Sequence, residues 1–448
     1  MTTPNHTENE AENLQRTPWR TKFFVQRLVS PWEIPGIMRK YHYAGSMSSI
    51  WMMLASGVFF IQFGNTVGMS NFQWGLMAGI SSWLMPAQLI SAVVAQRTGK
   101  RKKIWLYLAI AERVLRMIGI LLALWLWQAG WPGAGVMLIV AVCLSSLSGT
   151  MALPPWMSWM ADVIPKDYHG AFWGRRTAWI ALSVISVTIP AALLIDKVPN
   201  AHKINAMLAI FIFATAIGLL DLFIHSSIPE PKLASSERHH FLREILKPIR
   251  DHEFRPWLVF HTCWSFGLYL GGALFVQFVL KEMGLSKNLL GVTLAITCLG
   301  FAGGLTGGWS GKLVDRLGFK RVLFWGHLTW ALLPAVWLMA RPENALYWLG
   351  AGSLISGVAC SAANTAANKL VTRVPPPELR TVYVALSSSA GSLAGGCGAI
   401  TAGIIMYVFG DSGVATPLGV LSGFQLLFII SLCLRLSTTL LLIPRIKL

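Results

Sequence analysis

The sequence predicts an all-α integral membrane protein with twelve transmembrane helices in two six-helix pseudo-symmetric bundles. Three observations predict it. The composition is too apolar and too poor in charge for a water-soluble chain, twelve apolar stretches are long enough to cross a bilayer, and basic turns recur at a nearly constant offset between the two halves.

Of 448 residues, 54% are hydrophobic and only 12% carry formal charge, with a mean hydropathy of +0.56. An ordinary soluble domain has about a quarter charged residues. Half that complement cannot solvate the outside of so apolar a chain, which excludes a soluble enzyme. The 37 Lys and Arg against 19 Asp and Glu leave a net charge of +18. These bases come in short bursts between apolar stretches and not as one patch, so no nucleic-acid partner is expected. The six cysteines (Cys143, Cys263, Cys298, Cys360, Cys397, Cys433) stand singly inside apolar stretches, without metal-ligand spacing. They read as packing residues, and neither a cofactor nor a metal is expected.

In chain order, residues 1–18 are polar, and no apolar run follows a basic start, so no cleavable signal peptide is expected. Residues 19–40 mix aromatics with Arg and Lys, as either a membrane-surface segment or a solvated tail would. The apolar stretches then run 41–66, 72–95, 104–127, 134–158, 173–196 and 202–226, followed by 256–281, 287–310, 321–340, 345–370, 381–409 and 417–443. Each can cross about 30 Å of hydrocarbon at about 1.5 Å per residue, far more than a barrel strand requires. Pro86, Pro190 and Pro334 fall within them, which is tolerable where neighbouring helices re-satisfy the backbone.

Alternate turns differ sharply in charge. One set carries clusters such as Arg97, Lys100, Arg101, Lys102 and Lys103, whereas the opposite set has Lys197, Lys203, Lys281, Lys287 and Arg341 as its only strong bases. The positive-inside rule then makes this a multi-pass protein of the cell (inner, cytoplasmic) membrane with both termini and the central loop in the cytoplasm. The expected organisation is an N-terminal tail (1–40), a first bundle (41–226), a central cytoplasmic loop (227–255) and a second bundle (256–448).

The halves repeat. Gln96-Arg97 aligns with Asp315-Arg316 at an offset of 219, while Asp167 aligns with Glu378 and Phe172 with Tyr383 at 211. Two close, independent offsets predict a duplicated half, with bundles related by an axis along the membrane normal and solute bound between them near the midplane.

The most specific segment is Gly311-Lys312-Leu313-Val314-Asp315-Arg316-Leu317-Gly318-Phe319-Lys320-Arg321. Gly311 would permit close helix approach and Gly318 a tight turn. Asp315 would accept from N–H groups of a neighbouring helix N-terminus, and Arg316 and Lys320 would pair with nearby acids. The segment resembles the cytoplasmic signature loop of the major facilitator superfamily, G-x-L-x-D-R-x-G-x-[KR]-[KR]. The first-half copy keeps Arg97, Gly99, Arg101 and Lys102 but carries Gln96 at the acidic position. A second family-like element is Asp162-x-x-Pro165-x-x-x-x-Gly170-x-x-x-Gly174, followed by Arg175 and Arg176. The resemblance spans residues 41–443 and implies alternating-access transport of a small solute by two rocking bundles. It also implies a cytoplasmic gate of Arg97, Gly99, Asp162, Arg175, Gly311, Asp315, Arg316, Gly318 and Lys320, with Asp162 near Arg97 or Arg175. Span four has no internal Arg and span five no Gly-Pro-rich stretch, so the patterns of drug–proton antiporters in that superfamily are missing.

Ionisable residues inside spans are costly in lipid and are functional candidates. Span three carries Glu112, Arg113 and Arg116. Glu112 and Arg116 are four apart, share a helix face and would pair, giving either a proton-coupling carboxylate or an arginine that clamps an anionic solute. Candidate solute contacts are Gln62 and Asn65 in span one, Trp156 in span four, His261, Trp264 and Tyr269 in span seven, and Asn364 and Asn368 in span ten. Trp159 and Trp179 are further inward-facing candidates. Lys369, Asp221, His225 and Arg435 lie towards span ends and would snorkel.

The function these readings predict is a secondary active transporter of a small polar organic solute, with a proton as the expected coupling partner, the bilayer as its environment and a monomer as its state. It would not be an enzyme. The alternatives are an anion exchanger or uniporter of the same fold, a polytopic membrane enzyme, or a sensor that binds solute without moving it. The scattered Asp196, His202, Lys203, Glu282, Glu343 and Asp411 of the base-poor loops have no motif spacing that would favour the enzyme.

Overall fold

The computed structural model describes residues 34–163, 169–231, 247–373, 380–410, 413–416 and 419–446. The tail 1–33, loop residues 232–246, and the side chains of Gln96, Gly170 and Arg175 lie outside the described residues. In a bilayer every backbone polar group must be satisfied within the protein, and helices do this locally. The first half comprises α1 (Ile34–Ser56) continuing past Gly57 as α2 (Val58–Thr66), then α3 (Asn71–Trp83) joined to α4 (Gln88–Thr98) by a 3-10 turn holding Pro86. It continues through α5 (Arg101–Gln128), α6 (Ala134–Val163), α7 (His169–Lys197) and α8 (Lys203–Ser226). The second half has α9 (Arg255–Gly272) extended by a π-turn to Glu282, α10 (Leu289–Leu317), α11 (Phe319–Ala331) with α12 (Leu333–Leu338), α13 (Ala345–Arg373), α14 (Arg380–Phe409) and α15 (Gly423–Leu442).

Among the described residues these form twelve crossing segments, and nine pass a length-and-apolarity criterion for a membrane span. Of the remaining three, α5 carries Glu112, Arg113 and Arg116 in its middle, α11 has only 13 residues, and many α10 side chains lie outside the described set. A two-stranded hairpin, β1 (Val414–Thr416) against β2 (Gly419–Leu421), fills the last turn before α15. Capping boxes start α3 (Ser70 with Gln73) and α15 (Ser422 with Gln425), closing N–H groups that would otherwise be unpaired at the helix ends.

Each packing in the first half has its counterpart in the second. α4 and α5 both pack on α6, as α10 and α11 pack on α13; α1 packs on α7 and α8, as α9 packs on α14 and α15; α5 meets α8 as α11 meets α15. The halves join along α3–α14 and α7–α10, two seams that exchange when the halves are swapped, as a two-fold axis requires. The α3–α14 seam is backbone on backbone. A Cβ at Gly75 would lie 2.7 Å from the Gly403 Cα, and one at Gly79 would meet the Ile400 side chain and the Gly396 carbonyl.

The apolar core divides from one end to the other. Towards the base-poor end a single cluster draws on both halves, with Phe60, Phe63 and Phe211 packed in the same body as Phe278, Trp337 and Phe428. Towards the base-rich end there are two separate clusters, one around Tyr41, Trp105 and Trp159 and the other around Phe254, Trp257 and Leu323. Cross-half hydrogen bonds follow the same division. Among the described residues they run from the midplane (Trp83 Nε1 to the Leu393 carbonyl) to the base-poor end, and none lies at the base-rich end.

Candidate functional site

The first half holds a buried chain of ionisable groups. α5 aims Arg113 at α8, where its guanidinium donates to the Asp221 carboxylate at 2.8 Å and to the Gly218 carbonyl at 3.0 Å. Ser48 of α1 and the Ala109 carbonyl accept at 3.1 Å, and Trp51 presents its ring face at 4.7 Å. A buried arginine needs this saturation, since each unpaired donor would be costly in a medium that cannot solvate it. Asp221 is also bonded to His225 Nδ1 at 2.6 Å. The Trp156 indole N–H can only donate, and it faces His225 Nε2 at 3.3 Å. His225 therefore carries its proton on Nδ1 and donates it to Asp221.

Glu112 terminates the chain, accepting from Arg113 at 3.1 Å. Its side chain is 22% exposed, against 4% for Arg113 and 1% for Asp221. Among the carboxylates of the chain, Glu112 is thus the one a proton can reach. A Cβ at Gly149 of α6 would sit 2.1 Å from Glu112 Oε1, so the carboxylate occupies space that only glycine leaves open.

This corrects the pairing expected from spacing. Arg116 does share a face with Glu112, but its Nε donates to Ser145 at 3.2 Å and its guanidinium lies 5.6 Å over the Phe60 ring. Ser145 in turn donates to the Glu112 backbone carbonyl at 2.7 Å. The shorter reach to the neighbouring Arg113 wins the carboxylate. Asp221, His225 and Arg435 do not snorkel; all are buried. Arg435 donates to the carbonyls of Gly267 and Leu268 in α9.

At the base-rich end Asp162 is paired with Arg101, at 2.5 Å, and not with Arg97, which is exposed and makes no ion pair among the described residues. Arg101 is enclosed. It also donates to the Ser158 backbone and hydroxyl and to the Pro231 carbonyl, and lies 3.8 Å from Glu230. Lys102 donates through its backbone to Glu230 and through Nζ to the Ile228 carbonyl, and Trp159 donates to the Pro229 carbonyl. The 228–231 segment is thereby pinned on the start of α5. Burial lowers the Lys102 ammonium below the usual lysine range, against the opposing pull of Glu230.

In the second half, Asp315 accepts from Lys369 Nζ at 2.5 Å. Arg316 has no acidic partner among the described residues, and Lys320 donates to the Pro444 carbonyl at 3.2 Å. Gly311 has open space where a Cβ would go, so close approach is not its role. Gly318 turns α10 into α11 at φ +81°, and Gly99 ends α4 at φ +64°, conformations that other residues adopt only under strain.

The expected solute contacts divide. Trp264 is sealed among His327, Phe260 and Trp330 and contributes packing. Asn65 accepts from Trp74 and, across the halves, from Gln277 at 3.0 Å, making it a joint between bundles. Trp156 is tied to His225 and carries Arg176 5.2 Å over its ring. His261 stacks on Trp257 and faces Gly391, and Tyr269 lies against Gly395. Gln62 is half-buried, while Asn364 and Asn368 are exposed one helical turn apart on α13. Trp159 is buried and Trp179 exposed.

Sequence reading missed one cross-half contact outright. Asp196, at the end of α7, accepts the backbone N–H groups of Leu289 and Leu290 at the start of α10, each at 2.9 Å. An Asp closing one span and an uncharged helix start opening another was the available signal, but nothing local joined them.

A model of the Major Facilitator Superfamily matches residues 276–447. No curated protein matches the sequence. Solved structures with the same fold include the nucleoside transporter NupG (TM-score 0.66, 12% identity, covering 92% of this chain and 99% of that one). A D-xylose-proton symporter has TM-score 0.66 at 15% identity, covering 91% of this chain and 97% of its own. A partially occluded inward-open form of the xylose transporter XylE from E. coli has TM-score 0.62 at 15% identity, with coverage of 91% and 97%. The second half, signature loop included, thus matches the Major Facilitator Superfamily, and the whole chain shares the fold of these solved transporters.

Proposed function

We propose that this protein is a secondary active transporter that moves a small polar organic solute by alternating access, coupled to protons through Glu112. The base-rich end faces the cytoplasm, as the distribution of Lys and Arg favours, and the cytoplasmic membrane is its location. The observation that carries the reading is the Glu112–Arg113–Asp221–His225 chain, buried except at Glu112, in a molecule whose halves share one core at one end and separate at the other. A proton taken by Glu112 removes its hold on Arg113 and leaves that guanidinium wholly to Asp221, altering how α5 is tied to α8. A group whose partners change with its charge can bias a two-state bundle.

The solute class is best sought among nucleosides and sugars, because neighbouring folds include transporters of a nucleoside and of xylose, and exposed amides on α13 lie in a protein rich in aromatics. One observation favours a second reading: Arg116 has no carboxylate within ion-pair distance among the described residues, so an anionic solute could complete it.

The test is a thermal-shift screen against sugars, nucleosides, carboxylates and amino acids at two pH values, followed by uptake of the labelled hit in proteoliposomes. Wild type should show counterflow and pH-gradient-driven accumulation, whereas Glu112→Gln should keep counterflow and lose accumulation. Accumulation that survives in Glu112→Gln overturns the coupling assignment. Binding without counterflow makes the protein a sensor, and a requirement for carboxylates with loss in Arg116→Gln selects the exchanger.

A further inference from the structure

The turn between α10 and α11 and the residues after α15 border an open cavity of about 740 Å³ at the base-rich end. Arg316, Lys320 and Arg321 line it, with Phe324, Trp325 and Pro444. Three cations within six residues should repel one another unless something shares their charge. The neighbouring acid, Asp315, accepts from Lys369 of α13. Neither Arg316 nor Arg321 has an ion-pair partner among the described residues, and no side chain caps the first turn of α11.

The cavity also has an apolar border. Trp325 is 64% exposed, and exposed apolar residues continue away from it along both bordering helices: Leu332 after α11, and Leu440 and Leu441 on α15. A cluster of cations meeting an exposed apolar and aromatic band describes an interface where water gives way to acyl chains. A soluble phosphate would satisfy the cations and ignore the band. We infer that this cavity binds the headgroup of an anionic phospholipid, with Arg316, Lys320 and Arg321 on the phosphate and Trp325 against the first acyl carbons. The arginines suit the phosphate because each offers two parallel N–H donors.

The experiment measures the thermal midpoint of the full-length detergent-solubilised protein with phosphatidylglycerol, phosphatidylcholine or soluble glycerol phosphate. Phosphatidylglycerol should raise the wild-type midpoint by about 5 °C and phosphatidylcholine should not. The Arg316→Gln/Arg321→Gln double variant should lose most of that gain. An equal gain in the variant, or no gain in wild type, overturns the site; an equal gain from glycerol phosphate overturns the lipid assignment. A second measurement does not depend on stability: phosphatidylglycerol brominated near the headgroup should quench wild type more than Trp325→Phe, and identical quenching overturns the placement. Neither readout involves transport, so the site can fail while the transport reading stands, and the reverse.

Discussion

Asp196 of the first half holds the backbone N–H of Leu289 in the second at 2.9 Å, and its other oxygen holds Leu290. A carboxylate from one bundle thus caps a helix of the other, gaining both hydrogen bonds and the favourable end of the helix dipole. The contact lies at the base-poor end, where the two halves share one core. Asp196→Ala should move the population towards opening at that end by about tenfold, the ratio expected for the loss of a charge-assisted bond. Distances between spin labels placed across the 66–71 and 282–289 turns report it, and an unchanged distribution rejects the role.

Gly149 and Glu112 make a second prediction. Gly149→Ala should fold well, because alanine is favoured over glycine in a helix by up to about 1 kcal/mol. The added methyl nevertheless requires the Glu112 carboxylate to leave its place beside Arg113. Proton-driven accumulation should fall by about tenfold or more, as expected if displacement removes about 1.4 kcal/mol of coupling, while solute binding persists. Parallel uptake and thermal-shift titrations distinguish the two effects.

Arg101 and Asp162 differ in exposure, and so should their variants. Arg101 is 1% exposed and makes several bonds, whereas Asp162 is 48% exposed. Arg101→Met should lower stability by about 2–4 kcal/mol by freeing Glu230, Asp162 and the 228–231 segment. Asp162→Asn should cost only about 1 kcal/mol, since solvent screens its half of the pair. Thermal midpoints that rank the two the other way would disprove the pinning of 228–231 by Arg101.

A fourth prediction concerns acid. Asp251 precedes α9, where partial burial acts to raise its pKa, but the Tyr383 hydroxyl at 2.7 Å and the backbone N–H groups of Glu253 and Phe254 outweigh this and hold the carboxyl below the usual range. A carboxyl depressed in the folded state contributes stability above its unfolded pKa and loses it as pH falls through the folded value. The midpoint gap between wild type and Tyr383→Phe should therefore be full at pH 7 and shrink through the acid range below the ordinary carboxylate pKa. A gap that grows on acidification contradicts the assignment.

The twelve segments and their pairing into halves were legible because membrane helices announce themselves by length and apolarity, and a duplication leaves matching turns. Glu112, Arg113 and Arg116 were legible as a group for the same reason, since charges stand out in an apolar run. Their partners were not. Spacing of four on a helix says which side chains share a face, yet Arg113 reaches Glu112 from the adjacent position while α8 supplies Asp221 from more than a hundred residues away. Nor does periodicity report that Trp264 is sealed by His327, or that Gly149 leaves room for a carboxylate. Such facts arise from packing between helices, where sequence separation carries no information about distance.

The glycine-lined seam between α3 and α14 has a mechanical consequence. Where main chain rests on main chain there are few knobs to withdraw from holes, so tilting one body against the other meets little steric resistance at the pivot. The directional bonds between the halves lie instead towards the rim, in Asp196, Asn65 and Lys281. If the halves rock, this seam would serve as a smooth bearing with polar catches at its edge, and part of the effort of turning it would lie in releasing the catches.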